Sequence, residues 1–286
     1  MVFADLHMHS SASDGTLDAT RIADLAAQTE GLHAISITDH DSLAALEDAR
    51  LSCAMHDVDF VPGVEITTRH AGRAVHMLGY FVDANSSALA GFLDENRRRR
   101  AERVCKMADL LHDQGYPVCA EDLLASEETP NRPLLARLLL QRGCVSSVDD
   151  AFRRLLGSSS PCYIDAVYPE TIEAMRLIAE AGGCSFVAHP ARYRIVDLIA
   201  RFAREGMTGL EAYHTMQSPA QSAELVEIAH DLGLGVSGGS DWHGDDVHRA
   251  HLGGCGLSED QFRSFQDVCV GVRVDNEVDL VEAYDG

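Results

Sequence analysis

The chain has 286 residues, 46% of them apolar, and a formal net charge of −22. That length and apolar content can bury a large core, either as one big domain or as one domain carrying an insert. The acidic balance argues against broad electrostatic adhesion to long duplex nucleic acid or an anionic membrane, and no stretch reaches the ~18 uninterrupted apolar residues of a membrane span. The start of the chain has no basic segment leading into an apolar one, and the eight cysteines show no Cys-x-x-Cys pair. Both features lead us to expect a cytoplasmic protein with reduced thiols.

In chain order, Val2–His9 reads as a strand, Leu17–Gln28 as a helix, Ala34–Thr38 as a strand and Ser42–Met55 as a helix. Val58–Thr67 and Ala74–Val82 read as two more strands. The helical runs space apolar residues three or four apart, as in Ile22, Leu25 and Ala26. From residue 96 to 162 the strand signals stop. Arg97–Gln114, Pro133–Arg142 and Val148–Leu156 read as helices, broken by Gly115-Tyr116-Pro117 and Gly157-Ser158-Ser159-Ser160-Pro161. Alternation then resumes with Glu170–Ala181 (helix), Ser185–Ala188 (strand), Ile195–Glu205 (helix), Gly209–Ala212 (strand), Pro219–Leu232 (helix) and Leu234–Ser237 (strand). Such alternation implies parallel strands joined by crossover helices. We therefore expect an α/β barrel from residues 1–95 and 163–286, with a small helical insert, 96–162, capping its mouth.

Metal-ligand side chains recur at the expected C-terminal ends of these strands, where the loops of a barrel converge. Asp5-Leu6-His7-Met8-His9 places two histidines on one face of an extended strand, about 6–7 Å apart. Asp14, His40, Glu65, His76, His189, Asp241 and His243 follow. Singly, each has an ordinary reading: His189 before Pro190 as a turn residue, His76 amid Val75 and Met77 as a core histidine, Glu65 as a solvated strand end. Jointly they point to imidazole and carboxylate ligands for two or three divalent ions, a mixture suited to Mn, Fe, Zn or Mg and not to a thiolate-bound structural zinc.

The combination Asp5-Leu6-His7-Met8-His9-Ser10, Ser13-Asp14-Gly15, Thr38-Asp39-His40-Asp41, Gly63-Val64-Glu65, Val75-His76-Met77-Leu78-Gly79-Tyr80, Ala188-His189-Pro190 and Gly239-Ser240-Asp241-Trp242-His243 resembles the PHP (polymerase and histidinol phosphatase) family. Asn131-Arg132-Pro133-Leu134 and the segment ending Pro161-Cys162-Tyr163 resemble its subgroup of 3′,5′-nucleotide bisphosphate phosphatases and 5′-to-3′ exoribonucleases, although Leu134 stands where that subgroup more often has histidine. The resemblance implies a distorted (β/α)7 barrel. It implies a first metal on His7, His9, Glu65 and Asp241, a second sharing Glu65 with His76 and His189, and a third on Asp14, His40 and His243, Mn²⁺ being the favoured ion. Glu65, Asp241 and His243 would carry catalysis, a metal-bridged hydroxide attacking phosphorus in line.

A second phosphate on the substrate needs a cation away from the metals, for which Arg132 and Arg192 are candidates. In the run Arg97–Arg100, successive helical residues turn ~100° each, so at most one or two can face one ligand. His214 reads equally as a substrate contact and as a structural histidine. The expected substrate is a nucleoside 3′,5′-bisphosphate or short RNA. The alternatives are histidinol phosphate or another small phosphomonoester, hydrolysis of a C–N bond, and a binding module with a degenerate metal site.

Overall fold

The computed structural model describes residues 1–126, 129–244 and 250–284, with side chains described through residue 271. Two compact units form, Met1–Leu93 with Pro169–Gly286, and Asp94–Tyr168.

The first unit opens with β1 (Ala4–Met8), α1 (Ala19–Gln28), β2 (Ala34–Ile37), α2 (Leu46–Met55) and β3 (Asp59–Phe60), whose strands pair in parallel in that order. Asp18 caps α1, its carboxylate accepting the Arg21 N–H at 2.8 Å. The expected strand 58–67 is split. Pro62 has no N–H to give a ladder, and beyond it β4 (Gly63–His70) starts a second sheet.

That sheet corrects the expectation of parallel strands throughout. β4 pairs antiparallel with β5 (Arg73–Tyr80), and β5 antiparallel with β6 (Cys184–Val187). The reason is the connection. Ala71 and Gly72 join β4 to β5 with φ of 48° and 78°, the two left-handed residues of a tight hairpin turn, whereas a parallel pair needs a crossover of a dozen residues or more. β6, β7 (Gly209–His214) and β8 (Gly235–Gly239) then run parallel, linked through α8 (Ile199–Arg204) and α9 (Pro219–Leu232). Ser218 and Gln221 cap the start of α9 reciprocally, and Gly233, at φ 67°, ends it.

The ladders stay in two sheets, and no closed barrel is found among the described residues. Isolated bridges join the two: Met8 to Trp242 on one side and His40 to Glu65 on the other, both parallel. Backbone hydrogen bonds reinforce them, His9 N–H to Trp242 O and Asp241 N–H to His7 O on the first seam, and Asp41 N–H to Glu65 O on the second, each 2.8 Å.

Apolar packing backs each sheet. Ile22, Ala26 and Ala49 of α1 and α2 cover β1 and β2, while Met175 and Ile178 of α7 (Thr171–Glu180), Phe202 of α8 and Leu225 of α9 cover the second sheet. A third cluster holds Leu6, Tyr80 and Phe186 with Phe262 and Phe265 of α10 (Glu259–Tyr284). At ~1.5–3 kcal/mol per buried large side chain, these clusters hold the strands that carry the polar residues.

The second unit has its own core. Val104, Met107, Ala108 and Leu111 of α3 (Ser87–Asp113) pack with Leu135 and Leu139 of α5 (Arg132–Gln141), and with Leu123 of α4 (Ala120–Leu124). α6 (Val148–Ala151) runs on into a π-turn, Phe152–Leu156, where one α-helix was expected. Arg97, Arg98 and Arg99 pair with Asp94 and Glu95 on their own helix.

One glycine ties packing to the site. A Cβ on Gly239 would sit 2.4 Å from both Cβ and N of His7, so β8 lies against β1 only because residue 239 has no side chain. Gly239→Ala is expected to destabilise the protein by ~1–3 kcal/mol, as overpacking does. Thermal denaturation checks this, and an unchanged midpoint would mean that β8 can back away.

Candidate metal centre

Glu65 is the hub. Its Oε2 lies 3.4 Å from His7 Nε2, 3.3 Å from His9 Nε2 and 3.1 Å from His40 Nδ1. Its Oε1 lies 2.7 Å from His76 Nδ1 and 3.1 Å from His189 Nε2. The carboxylate is fully buried. Glu65 and His76 do not stand at strand ends as expected. They are interior to the β4–β5 hairpin, where Thr67 pairs with His76, so that Glu65, two residues from Thr67, shares a face with His76.

Asp241, just past β8, extends the cluster. Its Oδ1 lies 3.2 Å from His9 Nε2 and 3.5 Å from His7 Nε2. Asp14 Oδ1 lies 3.5 Å from His243 Nε2 and 3.8 Å from His9 Nδ1. The rings of His9 and His243 stack with centroids 4.3 Å apart. Among the described residues four groups bring their ligand atoms within 4.8 Å of one another, and three of them consist of expected residues: His7, His9, Glu65 and Asp241; His9, Asp14, His40 and His243; and His40, Glu65 and His76; the fourth is His7, Glu211 and His214. All nine residues expected from the sequence thus come to one place, His189 through its contact with Glu65. His40 reaches Glu65 as well as the Asp14 group.

The donor set fits divalent cations. His7 Nε2, Glu65 Oε2 and His189 Nδ1 are buried without a hydrogen-bond partner, an arrangement costing ~1–3 kcal/mol per group unless something else engages it. Burial alone would push the Glu65 carboxyl up, and the imidazoles of His40, His76 and His7 overcome this and hold it well below the usual range. Burial also opposes the charge on His243, yet its bond to Asp14 raises it to about 9. His189 is lowered to about 4, chiefly by burial, leaving it neutral and ready to ligate near pH 7.

Backbone strain clusters here too. Asp41, His189 and Asp241 have φ of 51°, 30° and 56°, a region a non-glycine residue occupies only when its surroundings hold it there.

Several buried carboxylates hold these segments, and the sequence reading assigned them no role. Asp39 accepts from Ser10 N–H (2.8 Å), Ser10 Oγ (2.6 Å) and Ser13 Oγ (2.5 Å), pinning the loop after β1. Asp5 accepts from Ser240 N–H at 2.8 Å and Gly253 N–H at 3.0 Å, pinning the loop before Asp241; burial, only partly offset by these bonds, raises it to about 6. Glu211 contacts His7 Nδ1 at 2.8 Å and accepts the His189 N–H at 2.7 Å. An acidic residue inside an otherwise apolar strand was the available signal for Asp5 and Glu211.

Of the expected substrate contacts, Arg192 donates to Asp241 Oδ2 at 3.0 Å, and His214 Nε2 lies 3.2 Å from the same oxygen. Arg132 belongs to the helical unit, its guanidinium 5.5 Å from the Phe152 ring centroid.

Residues 5–181 match the family described as PHP domain. A 5′-3′ exoribonuclease of Haemophilus influenzae is 31% identical over 84% of this chain and 89% of its own. A 3′,5′-nucleoside bisphosphate phosphatase of Chromobacterium violaceum is 32% identical (85% and 88%). A phosphoribosyl 1,2-cyclic phosphate 1,2-diphosphodiesterase of Eggerthella lenta is 31% identical (87% and 97%). Among solved structures, a Bifidobacterium adolescentis protein described as a metal-dependent phosphoesterase superposes with a TM-score of 0.83 at 29% identity, covering 93% of this chain and 96% of that one.

Proposed function

This chain belongs to the PHP family and is a metal-dependent phosphoesterase; on that premise we propose that it removes the 3′-phosphate of nucleoside 3′,5′-bisphosphates, converting adenosine 3′,5′-bisphosphate to AMP and phosphate, and trims short RNA from the 5′ end. The observation carrying this reading is the set of three ligand groups joined through Glu65 and His9, enough for two or three ions side by side. Relatives bearing the two activities match most of the chain. The two sheets, bridged at both seams, are read as a distorted (β/α)7 barrel. The chain has no described helix long and apolar enough to cross a membrane.

We assign His7, His9, Glu65 and Asp241 to one ion, Glu65, His76 and His189 to a second, and Asp14, His40 and His243 to a third, and take Mn²⁺ as the ion from among Mn, Fe, Zn and Mg, which such mixed donors suit. When bound, such ions polarise a phosphoryl oxygen and bring the pKa of water toward neutrality. The protein's own part is placement. Glu65 is shared between adjacent sites, Asp241 and His243 fix the far side, and burial keeps bulk water from screening the charges. Arg192, which donates to Asp241 Oδ2 at 3.0 Å, has a guanidinium fork that would suit a phosphate beside the ion that Asp241 would hold. Arg132 is proposed to hold the second phosphate, and the helical unit to limit substrate size.

Assay with Mn²⁺ tests the proposal, reading phosphate release from adenosine 3′,5′-bisphosphate, AMP and histidinol phosphate, mononucleotide release from a 5′-phosphorylated dinucleotide, and ring opening of a ribose cyclic phosphodiester. The bisphosphate is expected to give the highest kcat/KM. Equal or better turnover of histidinol phosphate, or of the cyclic diester named by the Eggerthella lenta relative, overturns it. Arg132→Ala is expected to raise KM for the bisphosphate ~10-fold or more, the worth of a charge-assisted hydrogen bond, and to leave KM for a nucleoside 3′-monophosphate within about twofold.

A further inference from the structure

Strand β7 supplies none of the nine assigned ligands, yet two of its side chains face the centre. In a regular strand Glu211 and His214, three apart, would point to opposite faces. The pairing with β8 shows why they do not. Glu211 pairs with Ser237, Tyr213 with Gly238 and His214 with Gly239, so Ala212 is an extra residue, a bulge that turns His214 onto the face of Glu211. Both are buried, with 0% and 2% exposure.

Their hydrogen bonds are directional. The Glu211 carboxylate offers one oxygen to His7 Nδ1 at 2.8 Å and the other to the His189 N–H at 2.7 Å. An ionised carboxylate only accepts, so His7 keeps a proton on Nδ1, and Nε2 is the atom turned to Glu65 and Asp241. The second bond grips His189 at its strained φ of 30°. His214 Nδ1 accepts the Met216 N–H at 3.1 Å. The ring proton is therefore on Nε2, which lies 3.2 Å from Asp241 Oδ2, leaving Oδ1 for the side of His7 and His9.

We infer that bulged strand β7 is the positioning element of the metal centre, Glu211 setting His7 and His189 and His214 setting Asp241, without itself binding an ion or substrate. This reassigns His214 from the substrate to Asp241, and it rests on the metal-centre reading above. It also opposes a different use of the same atoms, since His7, Glu211 and His214 are close enough together to hold an ion themselves.

The test is Mn²⁺ titration by calorimetry, with metal counted per chain, on wild type, Glu211→Gln, His214→Ala and His214→Gln. A glutamine at 211 can accept on one oxygen only, so either His7 or the His189 N–H loses its acceptor. Removing such outer partners costs ~10–100-fold in metal affinity. Glu211→Gln and His214→Ala are therefore expected to raise Kd by that factor while reaching wild-type stoichiometry at high Mn²⁺. His214→Gln, which keeps an N–H donor, is expected to recover most of the affinity. Affinities within about twofold of wild type overturn the inference. So does the loss of one ion per chain with the others unaffected, which would make this trio a site. A wild-type chain that binds no Mn²⁺ overturns the metal-centre reading itself. If a variant does not fold, ¹⁵N NMR of the Zn²⁺-loaded wild type decides: His7 protonated on Nδ1 and His214 on Nε2 is expected, and the opposite tautomer at either ring refutes the inference.

Discussion

Glu65→Gln is expected to lower kcat by about 10³-fold or more, ~4 kcal/mol at 1.36 kcal/mol per decade, and to remove at least one bound ion per chain. The substitution keeps volume and shape, so the β4–β5 hairpin and the apolar residues around it, Val64 and Ile66, have no reason to repack. What changes is the face offered to five imidazoles. An amide has one oxygen and two N–H donors. Turned one way it presents donors to His7, His9 and His40; turned the other, to His76 and His189. In neither pose can it give an anionic oxygen to each of two cations, and half the charge that would balance them is gone. Kinetics on the best substrate of the panel, with metal analysis and a thermal melt, checks this. A variant that keeps both its ions and a kcat within tenfold of wild type would remove Glu65 from the hub.

Stripping divalent ions is expected to abolish phosphate release and to lower Tm by many degrees, with Mn²⁺ restoring both. A ligand that binds only the folded state stabilises it by ~4 kcal/mol at a thousandfold excess over Kd, and here the ligand also meets buried groups that hydrogen bonding leaves unmet. The ions compete with protons. Carboxylates hold His7 well above its usual value against the opposing effect of burial, and His243 is at about 9, so loading near pH 7.5 should release protons, seen as a calorimetric enthalpy that varies with the buffer's ionisation heat. For the metal-free protein the sign is definite. The contribution of His243, whose folded pKa lies above its unfolded ~6.5, is fully present below that value and is lost as pH rises through about 9. Raising pH should therefore weaken the stripped protein while favouring metal uptake. A Tm indifferent to chelation would show that the fold does not depend on ions.

Most of the nine candidate ligands were picked out in the sequence by a local rule. His7 and His9 share a face by the two-residue period of a strand, and His40, His189 and Asp241 follow short apolar runs whose burial could be read from composition. The helical segment 96–162 was read from the sequence because strand signals vanish there and apolar spacing changes to three and four; the compact unit runs from Asp94 to Tyr168. What local pattern did not show was Glu65 inside a hairpin, a consequence of two left-handed residues, Ala71 and Gly72, that reverse the chain where a crossover was expected. Nor did it show the split of residues 196–204 into a short 3-10 turn and α8.

The amino-acid order alone determined which chemical groups are available, imidazoles and carboxylates in a set that suits divalent ions, and which stretches bury apolar area to carry them. Tertiary structure alone decided how those groups divide the work. Glu65 became the hub through the seam pairing His40 with Glu65, and β7 turned Glu211 and His214 inward through one extra residue at Ala212. Register, bulges and the joining of two sheets depend on partners far along the chain, and no period within a single segment encodes them.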